Sequence, residues 1–106
     1  IQTVHNASFT TVNEVNVQAT AKVSVGGGLS MRIELLHDNG NWDVITSSTV
    51  GTSFSKLEGN VAGANAMNYV NASGIVTARV AVYKTGPTPS ASWQVNVDQI
   101  VVRTLR

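Results

Sequence analysis

VNVQATAKVSVGGGLSMRIEL, residues 15–35, alternates apolar and polar side chains with a single interruption. Val15, Val17, Ala19, Ala21, Val23 and Val25 fall on one side of an extended chain, and Asn16, Gln18, Thr20, Lys22 and Ser24 on the other. A period of two is the mark of a strand with one buried and one wetted face. Gly26, Gly27 and Gly28 break the pattern, and Leu29, Met31, Ile33 and Leu35 resume it opposite Ser30, Arg32 and Glu34. Two long strands joined by a glycine turn predict a hairpin.

Working outward, His37-Asp38-Asn39-Gly40-Asn41 concentrates turn-forming residues before a strand expected over Trp42 to Ser48, giving a second hairpin. A shorter strand is expected around Phe54 to Leu57, and the small residues from Gly59 to Asn68 read as a loop. After Tyr69-Val70, the turn Asn71-Ala72-Ser73-Gly74 leads into Val76, Ala78, Val80 and Val82, alternating with Thr77, Arg79, Ala81 and Tyr83. Gly86-Pro87-Thr88-Pro89-Ser90 is a loop, because two prolines lack the donors a ladder requires. The last segment carries Trp93, Val95 and Val97 in one phase and Ile100 and Val102 in the other. A shift of phase at Asp98 and Gln99 predicts a bulge or a change of sheet. No capped segment of period 3.6, internal repeat or charge run is present. Seven or eight short strands predict an all-β, two-sheet antiparallel sandwich, as a jelly roll or an immunoglobulin-like fold.

The 106 residues suit one domain, 1–106, with enough chain for a core that needs no disulfide or metal. Seven Lys and Arg against six Asp and Glu leave a net charge of +1 without a basic face, which argues against nucleic acid as a partner. Only 12% of residues are charged, and polarity is carried by hydroxyls and amides, as in extracellular β-proteins. The absence of cysteine fits a microbial surface protein that does without disulfides. No apolar run approaches the roughly 18 residues of a membrane span, so no membrane insertion is expected. A chain beginning at Ile1 reads as a mature product cut from a precursor or as an excised module. The expected location is extracellular or at the cell surface.

Three segments, LSMRIELLHDNGNWDVI (29–45), NYVNASGIVTARV (68–80) and WQVNVDQIVV (93–102), follow one another in an order that resembles a family of jelly-roll accessory domains. These occur in large secreted bacterial and archaeal surface proteins. The resemblance covers residues 29–106 and implies a noncatalytic module beside adhesins or polysaccharide-degrading enzymes. It brings no binding residues with it.

Glycan-binding surfaces stack sugars on flat rings, which makes the aromatics the first candidates. Trp93 shares its phase with Val95 and Val97 and is expected in the core. Trp42, just after a turn, either plugs the end of the sandwich or faces a ligand. Tyr83 and Arg79 share the outward face of their strand. Trp42, Tyr83 and Arg79 are therefore the glycan-binding candidates, beside the plainer reading of Tyr83 as a cross-strand packing partner. Asp38, Asn39, Asn41 and Asp43 gather oxygens that calcium favours, but the spacing is not that of an EF-hand, and an Asx-rich turn accounts for them. No other cofactor is expected.

His5 and His37 lack zinc spacing and are expected in loops. No nucleophile elbow is present, and Glu34, outward with Arg32, reads as a solvated surface rather than half of a glycosidase pair. The chain is expected not to be an enzyme. Arg79 and Asp98 are expected to pair across adjacent strands. Asn6-Ala-Ser8 and Asn71-Ala-Ser73 match the glycosylation sequon. Two functions compete: an extracellular module binding a glycan or other surface polymer, and a structural subunit of a filament, pilus or surface layer that binds copies of itself. In the second, Ile1 to Val12 would serve as a donated strand.

Overall fold

A computed structural model describes residues 2–7, 12–86 and 92–105. Among these residues the strands are β1 (Gln2–Asn6), β2 (Glu14–Val23), β3 (Leu29–Leu36), β4 (Trp42–Thr49), β5 (Ser55–Ala62), β6 (Ile75–Lys84) and β7 (Val95–Leu105). One sheet has the order β1-β6-β3-β4 and the other β5-β2-β7, all pairs antiparallel. The fold is the expected jelly-roll-like two-sheet sandwich.

The alternation of residues 15–35 is realised strand by strand. Val15, Val17, Ala19, Ala21 and Val23 of β2 and Leu29, Met31, Ile33 and Leu35 of β3 are all buried. Yet the two strands do not form the hairpin their adjacency suggested: β2 lies at the centre of one sheet and β3 inside the other. Gly27 and Gly28 both take positive φ, +84° and +76°, conformations open chiefly to glycine. They carry the chain from one layer to the next, so the two apolar faces meet across the core. Periodicity shows which face of a strand is buried but not which strand lies beside it.

The second hairpin forms as expected. His37 N–H donates to Asn41 O (2.8 Å), and Gly40 N–H to His37 O (2.9 Å). A register shift between Ile33 and Glu34 leaves Ile45 as an extra residue of β4, so Val44 stays outside while Ile45 packs against the core. The expected loop from Gly59 is corrected: β5 continues to Ala62, and a 3-10 helix, Gly63–Tyr69, follows. Gly59 sits inside a strand because the sheets approach closely there. A Cβ built on it would lie 2.8 Å from Ile45 Cγ2 and 3.0 Å from Thr46 Cγ2.

The phase shift of the last strand is a bulge. Thr20 pairs with Gln99 and Ala21 with Val97, which leaves Asp98 unpaired. Val97, Ile100 and Val102 consequently all pack against the core, despite their uneven spacing. Trp93 packs there too, though only partly buried, and Val95 is exposed.

At one side of the sandwich β1 meets β7. His5, expected in a loop, lies in β1 with its Nε2 3.1 Å from Thr104 Oγ1 of β7. β1 pairs with β6 of its own chain, from Gln2 opposite Arg79 to Asn6 opposite Ile75. The segment cast as a donated strand thus completes its own sheet; Ile1 and residues 8–11 lie outside the described residues. So do Ser8 of the first sequon and residues 87–90 of the proline loop.

Candidate functional site

The outward face of the four-stranded sheet brings the three glycan-binding candidates together. The register places Arg79 of β6 opposite Glu34 of β3, and Glu34 opposite Val44 of β4. Arg32 lies two residues back along β3, between Ala81 and Ser47. Trp42 stands opposite Leu36, and Tyr83 opposite Ser30. All of these residues share one pleat face, which follows from a period of two once the strand pairing is fixed.

Their side chains form a ribbon. Arg79 Nε donates to Glu34 Oε1, and the Arg79 guanidinium lies 4.0 Å from the Trp42 ring centre. On the other side, Arg32 Nε is 3.0 Å from Glu34 Oε2, and its guanidinium lies 4.8 Å from the Tyr83 ring centre. The sequence of contacts is Tyr83, Arg32, Glu34, Arg79, Trp42. From Ser30, beside Tyr83, to Leu36, beside Trp42, is six residues of β3, on the order of 20 Å. Each cation-π contact adds about 0.5–2 kcal/mol, the higher end where water is excluded.

Glu34 is 3% exposed, because it occupies a central strand with an arginine arching over it from either side. The expectation of a solvated carboxylate is corrected: the outward direction is right, but its neighbours cover it. The arginines themselves remain more than a third exposed, 36% for the Arg32 side chain and 37% for that of Arg79. Trp42 and Tyr83 are half-buried, their rings partly screened by the guanidinium groups. The proposed pairing of Arg79 with Asp98 does not exist. β6 and β7 belong to different sheets, and Asp98 is the exposed bulge residue.

Beyond Trp42 the same face runs into a hollow of about 170 Å³ lined by His37, Asp38, Tyr69, Asn71 and Thr77, among others. The turn here is built by its own Asx groups. Asn41 N–H donates to Asn39 Oδ1 (2.9 Å), and Asn71 Oδ1 accepts from Ser73 N–H and Ile75 N–H. Asp38 Oδ1 sits 2.7 Å from His37 Nδ1. Asp43 Oδ2 accepts from the Tyr69 hydroxyl (3.0 Å), and burial followed by that hydrogen bond raises the Tyr69 pKa. Of the residues considered for calcium, Asp38, Asn41 and Asp43, the two carboxylates have separate partners, His37 for Asp38 and Tyr69 for Asp43. Among the described residues no three His, Cys, Asp or Glu side chains gather as a metal site.

The other sheet presents amides outward. Asn16 and Gln18 donate to Glu58 Oε2 at 3.1 and 2.8 Å, and Asn16 also to Asn60 Oδ1 (3.2 Å). The hydrogen bond from Gln18, then that from Asn16, lowers the Glu58 pKa, which keeps the carboxylate ionised and unsuited to donating a proton. At the end of the sandwich a hollow of about 390 Å³ opens between Lys22, Thr52 and Gln94. Lys22 Nζ lies 4.6 Å from the ring centre of nearby Phe54, which is 46% exposed.

Arg32 and Glu34 are the members of the ribbon that sequence reasoning set aside. A signal was present, since Arg32 and Glu34 lie in the outward phase of β3, as Arg79 and Tyr83 lie in that of β6. Only the pairing of β3 with β6 turns that signal into contact.

No family model and no curated protein matches the sequence. Solved structures of carbohydrate-binding modules share the fold. One, described as "CBM4 structure and function", superposes with a TM-score of 0.55 at 10% identity, over 97% of this chain and 72% of that one. Another is the CBM22-1 xylan-binding domain of Paenibacillus barcinonensis Xyn10C, with a TM-score of 0.50 at 13% identity. That match covers 89% of this chain and 56% of the other, so the chain spans little more than half its length.

Proposed function

We propose that the chain is a noncatalytic module that binds a glycan polymer along the outward face of the β1-β6-β3-β4 sheet and works outside the cell or at its surface. The observation that carries this reading is the ribbon from Tyr83 to Trp42, which combines flat aromatic and guanidinium groups with hydrogen-bond donors on a rigid sheet. Rings and guanidinium planes offer apolar faces to sugar C–H groups, while the remaining N–H donors meet hydroxyls. Because Glu34 holds both arginines in place, little side-chain freedom is left to lose on binding. The hollow that begins at Leu36, the residue paired with Trp42, extends the surface past the sheet, which suits a chain-like ligand better than a single sugar. Likeness of fold to carbohydrate-binding modules, one of them xylan-binding, agrees with this reading. So does the environment of the carboxylates, since Glu34 is held between arginines and Glu58 is kept ionised by amides.

Affinity electrophoresis through gels containing xylan, mixed-linkage glucan, galactomannan or polygalacturonate tests the proposal. Retardation by at least one polysaccharide, lost in both Trp42→Ala and Tyr83→Ala while near-ultraviolet circular dichroism stays folded, is the expected result. Migration unaffected by every polymer, or retardation that survives both substitutions, would overturn it.

A further inference from the structure

We infer, building on the glycan-binding reading, that the polymer held on this face is acidic, with uronate carboxylates received by Arg32 and Arg79. The ribbon contains two guanidinium groups and one carboxylate, a local excess of one positive charge. Among the described residues Glu34 is the one carboxylate paired with both, and it presents one oxygen to each arginine. A guanidinium carries five N–H donors, so one carboxylate oxygen leaves most of each set unengaged. Arg32 Nε is buried against Glu34 without a directed hydrogen bond, so the exposed part of the Arg32 side chain, its terminal nitrogens, is what a ligand would meet.

Among the described residues no further anion pairs with either arginine of the ribbon. Next to it on the outward face stand Gln2, Thr77, Val44 and Ser47, all neutral. The nearest other acids are at the turn: Asp38 lies against His37, and Asp43 is bonded to Tyr69. A guanidinium more than a third exposed, braced over a ring and by the Glu34 carboxylate, is preorganised for planar, two-point recognition of a carboxylate. Trp42 and Tyr83 brace the guanidinium groups as well as offering surface to the sugar. Arg32 on β3 and Arg79 on β6 flank the one Glu34 carboxylate, so both guanidinium groups lie beside the same stretch of a bound chain.

Isothermal titration of the unmodified protein with polygalacturonate, its methyl ester, neutral xylan and dextran sulfate tests this inference directly. Esterification removes the charge and leaves the backbone of the polymer. The acid should bind about tenfold or more tightly than its ester, the difference expected from a lost charge-assisted pair, and the preference should shrink as salt rises. The double variant Arg32→Lys, Arg79→Lys keeps counter-charges for Glu34 but removes both forks. It should lose that tenfold preference while unfolding near the wild-type midpoint. Equal binding of acid and ester, a preference for neutral xylan, or tighter binding of dextran sulfate overturns the inference, and these comparisons need no variant. Should a neutral glycan bind in a manner lost on Trp42→Ala, the module reading stands and the acidic one falls. If no glycan binds, both fall.

Discussion

Gly59 of β5 approaches Ile45 of β4 so closely that a methyl group on its Cα would stand 2.8 Å from the Ile45 Cγ2. Thr46 Cγ2 closes the same space at 3.0 Å. The two edge strands are pressed together here because Ile45 is the extra residue of a bulge and turns inward. Gly59→Ala should therefore destabilise by about 1–3 kcal/mol, the usual cost of overpacking. Urea unfolding measures it, and an unchanged midpoint would mean that the sheets part freely at this edge.

Glu34→Ala removes the single counter-charge of two arginines. A fully buried ion pair that loses one partner costs more, but both arginines keep over a third of their side chains in water. A loss of about 1–3 kcal/mol is expected, falling as salt screens the remaining repulsion. The trend with salt is the informative readout: a loss that grows with salt would contradict this account.

Tyr69→Phe deletes the hydroxyl donated to Asp43 and should cost about 1–2 kcal/mol. The Tyr69 pKa is raised, so the folded state holds the phenol proton more firmly than the unfolded state does. Stability from this group is complete below the ordinary tyrosine value and declines as pH climbs through the raised one. An ultraviolet titration of the wild type should show a late-ionising tyrosine that is missing in Tyr69→Phe.

Glu58 titrates in the opposite sense. Its lowered pKa means that its contribution is present above the ordinary glutamate value and is lost as pH falls through the lowered one. Gln18 donates the shorter hydrogen bond, so Gln18→Ala should move the Glu58 midpoint upward in a carboxyl-detected NMR titration, further than Asn16→Ala does. Equal midpoints in all three proteins would show that the amides do not bind the carboxylate in solution.

Local pattern made the strands legible where one face is buried and the other wet, as in β2, β3 and β6. It failed at β5, where Gly59 reads as a loop residue because nothing near it in sequence reports the side chains of β4. It failed again between β2 and β3, since a glycine turn and a glycine crossover have the same composition. Among the binding candidates, Trp42, Tyr83 and Arg79 were visible as outward or turn-adjacent groups. Their union through Arg32 and Glu34 depends on the β3-β6 and β3-β4 registers, which are long-range facts. The same registers explain why a glutamate on a polar face became almost inaccessible.

The unpaired Asp98 divides β7 into two reading frames. Upstream of it Trp93 and Val97 meet the core, and downstream Ile100 and Val102 do. Replacing Asp98 changes one exposed side chain, whereas removing it would slide Trp93 and Val97 onto the outer surface and their polar neighbours inward. The position is thus permissive of spelling and strict about count, and natural or designed variants of this fold should differ freely in the residue at the bulge while keeping the number of residues between Trp93 and Ile100.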